Sequence, residues 1–142
     1  MALGEKVSIL FHLGRNQEAL TVAEDFARSS PQREEVASTR ALLLAATGNA
    51  PKAIEQIRIA IAAGVGQSTF HHAEYTIASA YALLGNNRPA VDWLRKTAED
   101  GLPCYPLFEK DPNLNRLRHD PDFIAFMKDL KSQWEQYSAT LP

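Results

Sequence analysis

Cysteine is nearly absent from this sequence. Cys104 stands alone among 142 residues, so no disulfide can close within the chain, and a reduced setting is the plain reading. Long apolar runs are missing too. None approaches the roughly 20 residues that a membrane-spanning helix needs. Met1 to Arg15 lacks the charged start and apolar stretch of a signal peptide. These absences predict a cytoplasmic protein with no membrane partner. Neither sign of charge is in large excess. Fifteen basic residues face seventeen acidic ones, a formal net charge of −2. The two signs are interspersed, which leaves no electrostatic footprint for nucleic acid. What remains is ordinary globular composition, 45% apolar and 23% charged, over a length that suits one domain, residues 1–142.

Catalytic and metal-binding signatures are lacking as well. There is no phosphate-cradling glycine loop, no G-x-S-x-G and no H-E-x-x-H. His71 and His72 are adjacent, so on a helix they point about 100° apart and do not make the i, i+4 pair of a helical zinc site. Cys104 and His119 have the chemistry of a nucleophile and its base, but Cys104 lies in an apolar, irregular stretch with no motif around it. Glu34, Glu35, Glu99, Asp100, Asp120 and Asp122 fall at helix starts or ends, where carboxylates read as caps, dipole partners or solvated faces. The expectation is no enzyme, no metal and no cofactor.

What the sequence does have is a repeat. Gly14 to Ala19, Gly48 to Ala53 and Gly85 to Ala90 each place glycine first and alanine sixth. Two glycines 34 apart are followed by a third after 37 more. The same five offsets beyond each glycine then form a stripe: Ala19, Leu20, Ala23, Phe26 and Ala27; Ala53, Ile54, Ile57, Ala60 and Ile61; Ala90, Val91, Leu94, Thr97 and Ala98. Only Thr97 is not apolar. Steps of 1, 3, 3 and 1 describe one face of an α-helix. Before each glycine runs a looser stripe: Leu3, Val7, Leu10 and Leu13; Ala37, Ala41 and Leu44; Ile77, Ala78, Tyr81 and Leu84. Each unit therefore reads as helix, tight glycine turn, helix. Glycine suits a residue that follows a helix C-terminus in a left-handed conformation. Pro51 and Pro89 suit the first turn of the next helix. The sixth-place alanine lets the two helices approach closely.

These residues resemble the tetratricopeptide repeat family over about residues 1–100. The likeness rests on the 34-residue period, the turn glycine and the small residue five places on. It also rests on Leu10, Leu44 and Tyr81 four places before the glycine and on the small residues Ala41 and Ala78. The sequence departs from the family pattern where tryptophan is usual, with Leu3, Ala37 and Glu74, and where leucine is usual, with Lys6 and Arg40. The resemblance implies an all-α, right-handed α-solenoid of three helix-turn-helix repeats, about 1–33, 34–70 and 71–101.

Beyond Gly101 the pattern changes. Residues 102–120 read as an irregular segment, with Pro103, Pro106 and Pro112 making 102–112 too proline-rich for regular helix. Asp111-Pro112 and Asp120-Pro121 each read as an aspartate N-cap with proline at the first helical position. The first opens a short helix through Leu114 and Leu117. The second opens a long amphipathic helix, 121–137, with Phe123, Phe126, Met127, Leu130, Trp134 and Tyr137 on one stripe. A solenoid exposes the apolar flank of its last repeat, and this helix is expected to cap it. The run from Gly85 to Phe126, with Trp93-Leu94, Asp111-Pro112 and Leu117 to Phe123, is similar to the C-terminal repeat ends of larger bacterial signalling and regulatory proteins. That likeness implies a fragment or close relative of the C-terminal region of such a protein.

In the family, the first helix of each pair lines a concave groove. Carried over, the groove positions are Gly4, Ser8, Phe11 and His12; then Glu35, Ser38, Thr39, Leu42 and Ala45; then His72, Tyr75, Thr76, Ser79 and Ala82. Small residues leave room, and Phe11 and Tyr75 offer aromatic contacts of the kind that anchor interfaces. Some family members grip a C-terminal carboxylate with lysine, asparagine and arginine. Gly4, Ser8, Thr39, His72 and Thr76 stand at those places here, so that clamp is absent. The resemblance implies a protein–protein interaction or scaffold module that holds a peptide, a protein segment or a neighbouring domain of its parent protein. The rival is self-association, a homodimer formed through an uncovered flank of Leu3, Val7 and Leu10 or through Trp134 and Tyr137.

Overall fold

A computed structural model describes all residues except 1, 2, 30–32, 68, 69 and 142, and the side chains of residues 3 and 4 are also outside the description. Among the described residues every regular element is helical. The first six helices come in pairs: α1 (Leu3–His12) and α2 (Asn16–Ala27), α3 (Glu34–Ala46) and α4 (Ala50–Gly64), α5 (Phe70–Leu83) and α6 (Asn87–Glu99). Each pair is joined at one of the repeat glycines. Gly14, Gly48 and Gly85 all take a left-handed backbone, at φ of +74°, +84° and +78°. Their hydrogen bonds are the same three times over. The glycine N–H donates three residues back, to Phe11, Ala45 or Ala82. The next N–H donates five residues back, to Leu10, Leu44 or Tyr81. That is the Schellman pattern, which satisfies carbonyls a helix end otherwise leaves open.

The sixth-place alanines do what their size suggests. Ala19, Ala53 and Ala90 are completely buried. Thr97 breaks the apolar set in sequence but not in packing. It is buried, and its hydroxyl donates to the Trp93 carbonyl at 2.7 Å, so it carries no unsatisfied group. Among the pairs, α3 packs closely on α4 and α5 on α6, while α3 also lies along α5 and α2 along α3. Leu13 departs from its expected place, being 63% exposed at the end of the first turn. Val7 and Leu10, expected on an uncovered flank, are instead buried in the core, and Ile9 and Leu13 are the outward apolar residues of that region. Leu3, named with them, lies outside the described side chains.

The tail is more regular than its prolines predict. α7 (Tyr105–Lys110) is a helix inside the segment expected to be irregular. The prolines permit it by position. Pro106 falls in the first turn, where no intrahelical donor is lost, and Pro103 and Pro112 fall outside the helix. A short 3-10 helix follows (Pro112–Leu117), then α8 (Pro121–Thr140). Both aspartate caps form. Asp111 accepts from the Asn113 N–H at 2.9 Å, and Asp120 accepts from those of Asp122 and Phe123 at 3.0 and 3.1 Å. Phe108, Leu114 and Leu117 are completely buried and build a second core with Leu94, Phe123, Phe126 and Leu130. The stripe along α8 is therefore core only in its first half. Trp134 and Tyr137 are 40% and 67% exposed, because α8 runs on past the helices that its first turns cover.

Candidate functional site

Helices α1, α3 and α5 turn side chains toward a shared groove with two adjoining lobes. The first lobe, about 450 Å³, lies among Val7, Phe26, Arg33, Glu35, Val36, Thr39 and His72. The second, about 610 Å³, lies among Ser8, Phe11, His12, Leu42 and Thr76. Val7, Thr39 and Thr76 line both, so the lobes are continuous along the helix faces. Most of the lining surface is apolar, with Arg33, Glu35 and His72 bringing polar groups to the first lobe and His12, Lys110 and Asp111 to the second.

Of the residues expected in the groove, Ser8, Phe11, His12, Glu35, Ser38, Leu42 and His72 line it, as do Thr39 and Thr76. Some are already committed locally. The His12 Nδ1–H donates to the Ser8 carbonyl at 2.7 Å, which fixes the ring against its own helix. Ser38 is buried, with its hydroxyl donating to the Glu35 carbonyl. Gly4 lies among the undescribed side chains.

Tyr75 and Ser79 correct the expectation, for neither lines the groove. The Tyr75 ring stacks on Phe108 at 5.2 Å and 11°, and its hydroxyl donates to the Asp111 carboxylate. Burial first, and the Asp111 carboxylate second, push that hydroxyl well above its ordinary range. Ser79 is buried and donates to the Tyr75 carbonyl. Ala45 and Ala82 are buried as well. The chain's own tail occupies this end of the helix faces, and in doing so it becomes a wall. Pro106, Leu107, Lys110, Asp111, Pro112 and Asn113 close one side of the second lobe.

The wall is fastened at several points. Arg118 donates to the Phe108 and Asp111 carbonyls, both at 2.9 Å, and its guanidinium lies 5.4 Å from the Phe123 ring centre. Arg116 donates to the Leu83 carbonyl at 2.6 Å, tying the 3-10 helix to the end of α5. Sequence reasoning missed this wall because helical periodicity reports which face of a helix is apolar, not which later segment returns to it. The available signal was the clustering of Tyr105, Leu107 and Phe108 among prolines.

The residues considered for other chemistry are dispersed. His71 and His72 have ring centres 4.2 Å apart, but His72 faces the groove and His71 a separate pocket beside Glu74. Cys104 is the N-cap of α7, and His119 is exposed between the 3-10 helix and α8. Among the described residues no group of three or more histidine, cysteine, aspartate or glutamate side chains is gathered to hold a metal ion, and no helix is long and apolar enough to cross a membrane. Compared with protein-family models, with curated proteins and with solved structures, the chain matches none.

Proposed function

We propose that the chain is a tetratricopeptide-like scaffold module, three helix-turn-helix repeats in a right-handed superhelix capped by α8, that holds a peptide or protein segment in its groove. The observation that carries this reading is the two-lobed groove itself. It is lined by successive first helices of the pairs and left open by a tail that is fastened beside it rather than across it. A mostly apolar lining with a few polar groups suits a short segment with apolar anchors, because burying its apolar side chains supplies affinity while the polar groups set its register. The module is best read as a cytoplasmic part of a larger bacterial signalling or regulatory protein.

Peptide display against the purified chain tests the groove. Peptides selected on the parent protein should lose at least tenfold in affinity for Leu42→Glu, which charges the second lobe, and for Thr39→Arg, which fills the junction of the two. Selected peptides that bind both folded variants as well as the parent would place the interaction elsewhere. Self-association is the second reading, favoured by the outward Ile9, Leu13, Trp134 and Tyr137. Sedimentation at high protein concentration distinguishes the two: a monomer throughout removes self-association, and a dimer abolished by Leu13→Glu supports it.

A further inference from the structure

Glu74 is the most unusual residue in the molecule. It stands eleven places before the turn glycine, where the second copy has Ala37, and both residues are completely buried. The position requires a buried side chain and does not require a charge. Neither Glu74 oxygen has a hydrogen-bond partner. The nearest cation, Lys96 on α6, has its Nζ 3.8 Å from Glu74 Oε2, too far for a hydrogen bond, and 3.0 Å from Asp100 Oδ2. One ammonium thus serves two carboxylates and is bonded to the more exposed of them. An ionised, unpaired carboxylate in this position is strongly disfavoured. A single added proton removes the conflict. A neutral Glu74 carboxyl can donate to Asp100, and Asp100 remains an anion paired with Lys96.

We propose that Glu74, Asp100 and Lys96 form a proton-operated latch, in which one proton held between the two carboxylates fastens the start of α5 to the end of α6 and its loss releases them. The charged groups that act on Glu74 are Lys96 and Asp100. From α6 come Lys96 and Asp100, with Glu99 acting on Lys96. From α5 comes His71, whose Nδ1 is buried without a hydrogen bond. The connection from α4 brings Val65, Gly66 and Gln67, none of them charged, and Phe70 and Trp93 complete a pocket of about 360 Å³. Burial first, and the neighbouring Asp100 carboxylate next, raise the Glu74 carboxyl from 4.5 to about 7. The Lys96 ammonium, bonded to Asp100 at 3.0 Å, holds that carboxyl below its ordinary value. The proton therefore resides on Glu74.

The sign of the pH dependence follows. The fastened form binds the proton more tightly than the released form, so it is favoured at low pH. That advantage is lost progressively as pH rises from about 4.5 to about 7, and is gone above. The same first turn of α5 carries His72 into the groove. Release of the latch thus loosens one groove wall.

Amide hydrogen exchange on the full chain between pH 5 and 8, corrected for the intrinsic pH dependence of exchange, tests the latch. Opening of the amides of residues 73–77 and 97–100 should increase by up to about tenfold per pH unit below pH 7 and level off above it. Glu74→Gln keeps a neutral hydrogen-bonding group of the same size and should abolish that slope. His71→Gln should retain it. A slope that survives in Glu74→Gln, that disappears in His71→Gln, or that is absent from the parent protein overturns the proposal. Should Glu74→Gln not fold, carbon-detected NMR titration of the Glu74 carboxyl in the parent chain decides. A midpoint near 7 supports the latch, and one near 4.5 overturns it.

Discussion

The two cores of this molecule are built from different materials. In the cluster that spans α1 to α5, nine of the seventeen buried residues are alanine, so helices are held together by close backbone approach. In the cluster formed by α5, α6 and the tail, the space is filled instead by Leu94, Phe108, Leu114, Leu117, Phe123, Phe126 and Leu130. The first arrangement tolerates little added volume, because a site with no room has no way to yield. The second depends on large side chains and loses most when one is removed. The difference shows what a glycine-and-alanine register can encode, and what it leaves to the rest of the chain.

The sharpest way to break the comparison is to empty the second core. Phe108 is completely buried between the Tyr75 ring at 5.2 Å and the Phe126 ring at 6.2 Å. Phe108→Ala should cost about 3–5 kcal/mol, the range for a large aromatic whose site cannot collapse. Urea unfolding measures it. Because Phe108 also sets the wall of the second lobe, peptides selected on the groove should weaken in parallel. A loss below about 1 kcal/mol would mean that the tail packs loosely and that the contrast between the cores is false.

The converse change overfills one alanine contact in each core, Ala53 in the first and Ala90 in the second. Ala53→Leu and Ala90→Leu insert three carbons at completely buried helix contacts, and overpacking of this kind costs about 1–3 kcal/mol. The pair also sharpens the comparison. Ala53 lies among other alanines on α4 and Ala90 beside Val91 and Leu94 on α6, so Ala53→Leu should be the worse of the two. If either variant melts with the parent, the close approach of its two helices is not what the alanine serves.

These contrasts also mark what was legible in the sequence. The three turns were, because glycine in a left-handed conformation and alanine at a close contact are demanded by local geometry. The two aspartate caps were legible for the same reason. Glu74 was visible only as a departure from the family's tryptophan position, since burial of a carboxylate depends on Lys96 and Asp100 more than twenty residues later. The fate of Tyr75 depended in the same way on Phe108 and Asp111. α7 was hidden because proline in sequence signals an interruption, although each proline falls where a helix has no donor to lose.

The exposure of Trp134 and Tyr137 has a related cause, and it yields the smallest predicted effect. A stripe in sequence fixes the side of a helix that is apolar and says nothing about how far the neighbouring helices extend. α8 has 20 residues and α6 has 13, so at 1.5 Å per residue they are about 30 and 20 Å long. α8 packs on α6 and α7, and its last turns have nothing comparable to lie against. Phe123, Phe126 and Leu130 are buried, whereas every residue from 131 to 141 is exposed. The one ring contact in that stretch, Trp134 with Tyr105 at 6.1 Å, is worth about 0.5–1 kcal/mol. Removing residues 132–142 should therefore lower stability by no more than about 1 kcal/mol, with a loss of helical signal in proportion to the residues removed. Removing residues 121–142 should instead cost several kcal/mol, since three large buried side chains contribute about 1.5–3 each, and should leave α6 frayed. Both truncations can be read from urea midpoints and from amide protection in α6. If the shorter truncation destabilises as much as the longer one, the end of α8 is packed and the cap extends along its whole length. If neither does, α8 is no cap at all, and its aromatic face becomes a surface for another protein.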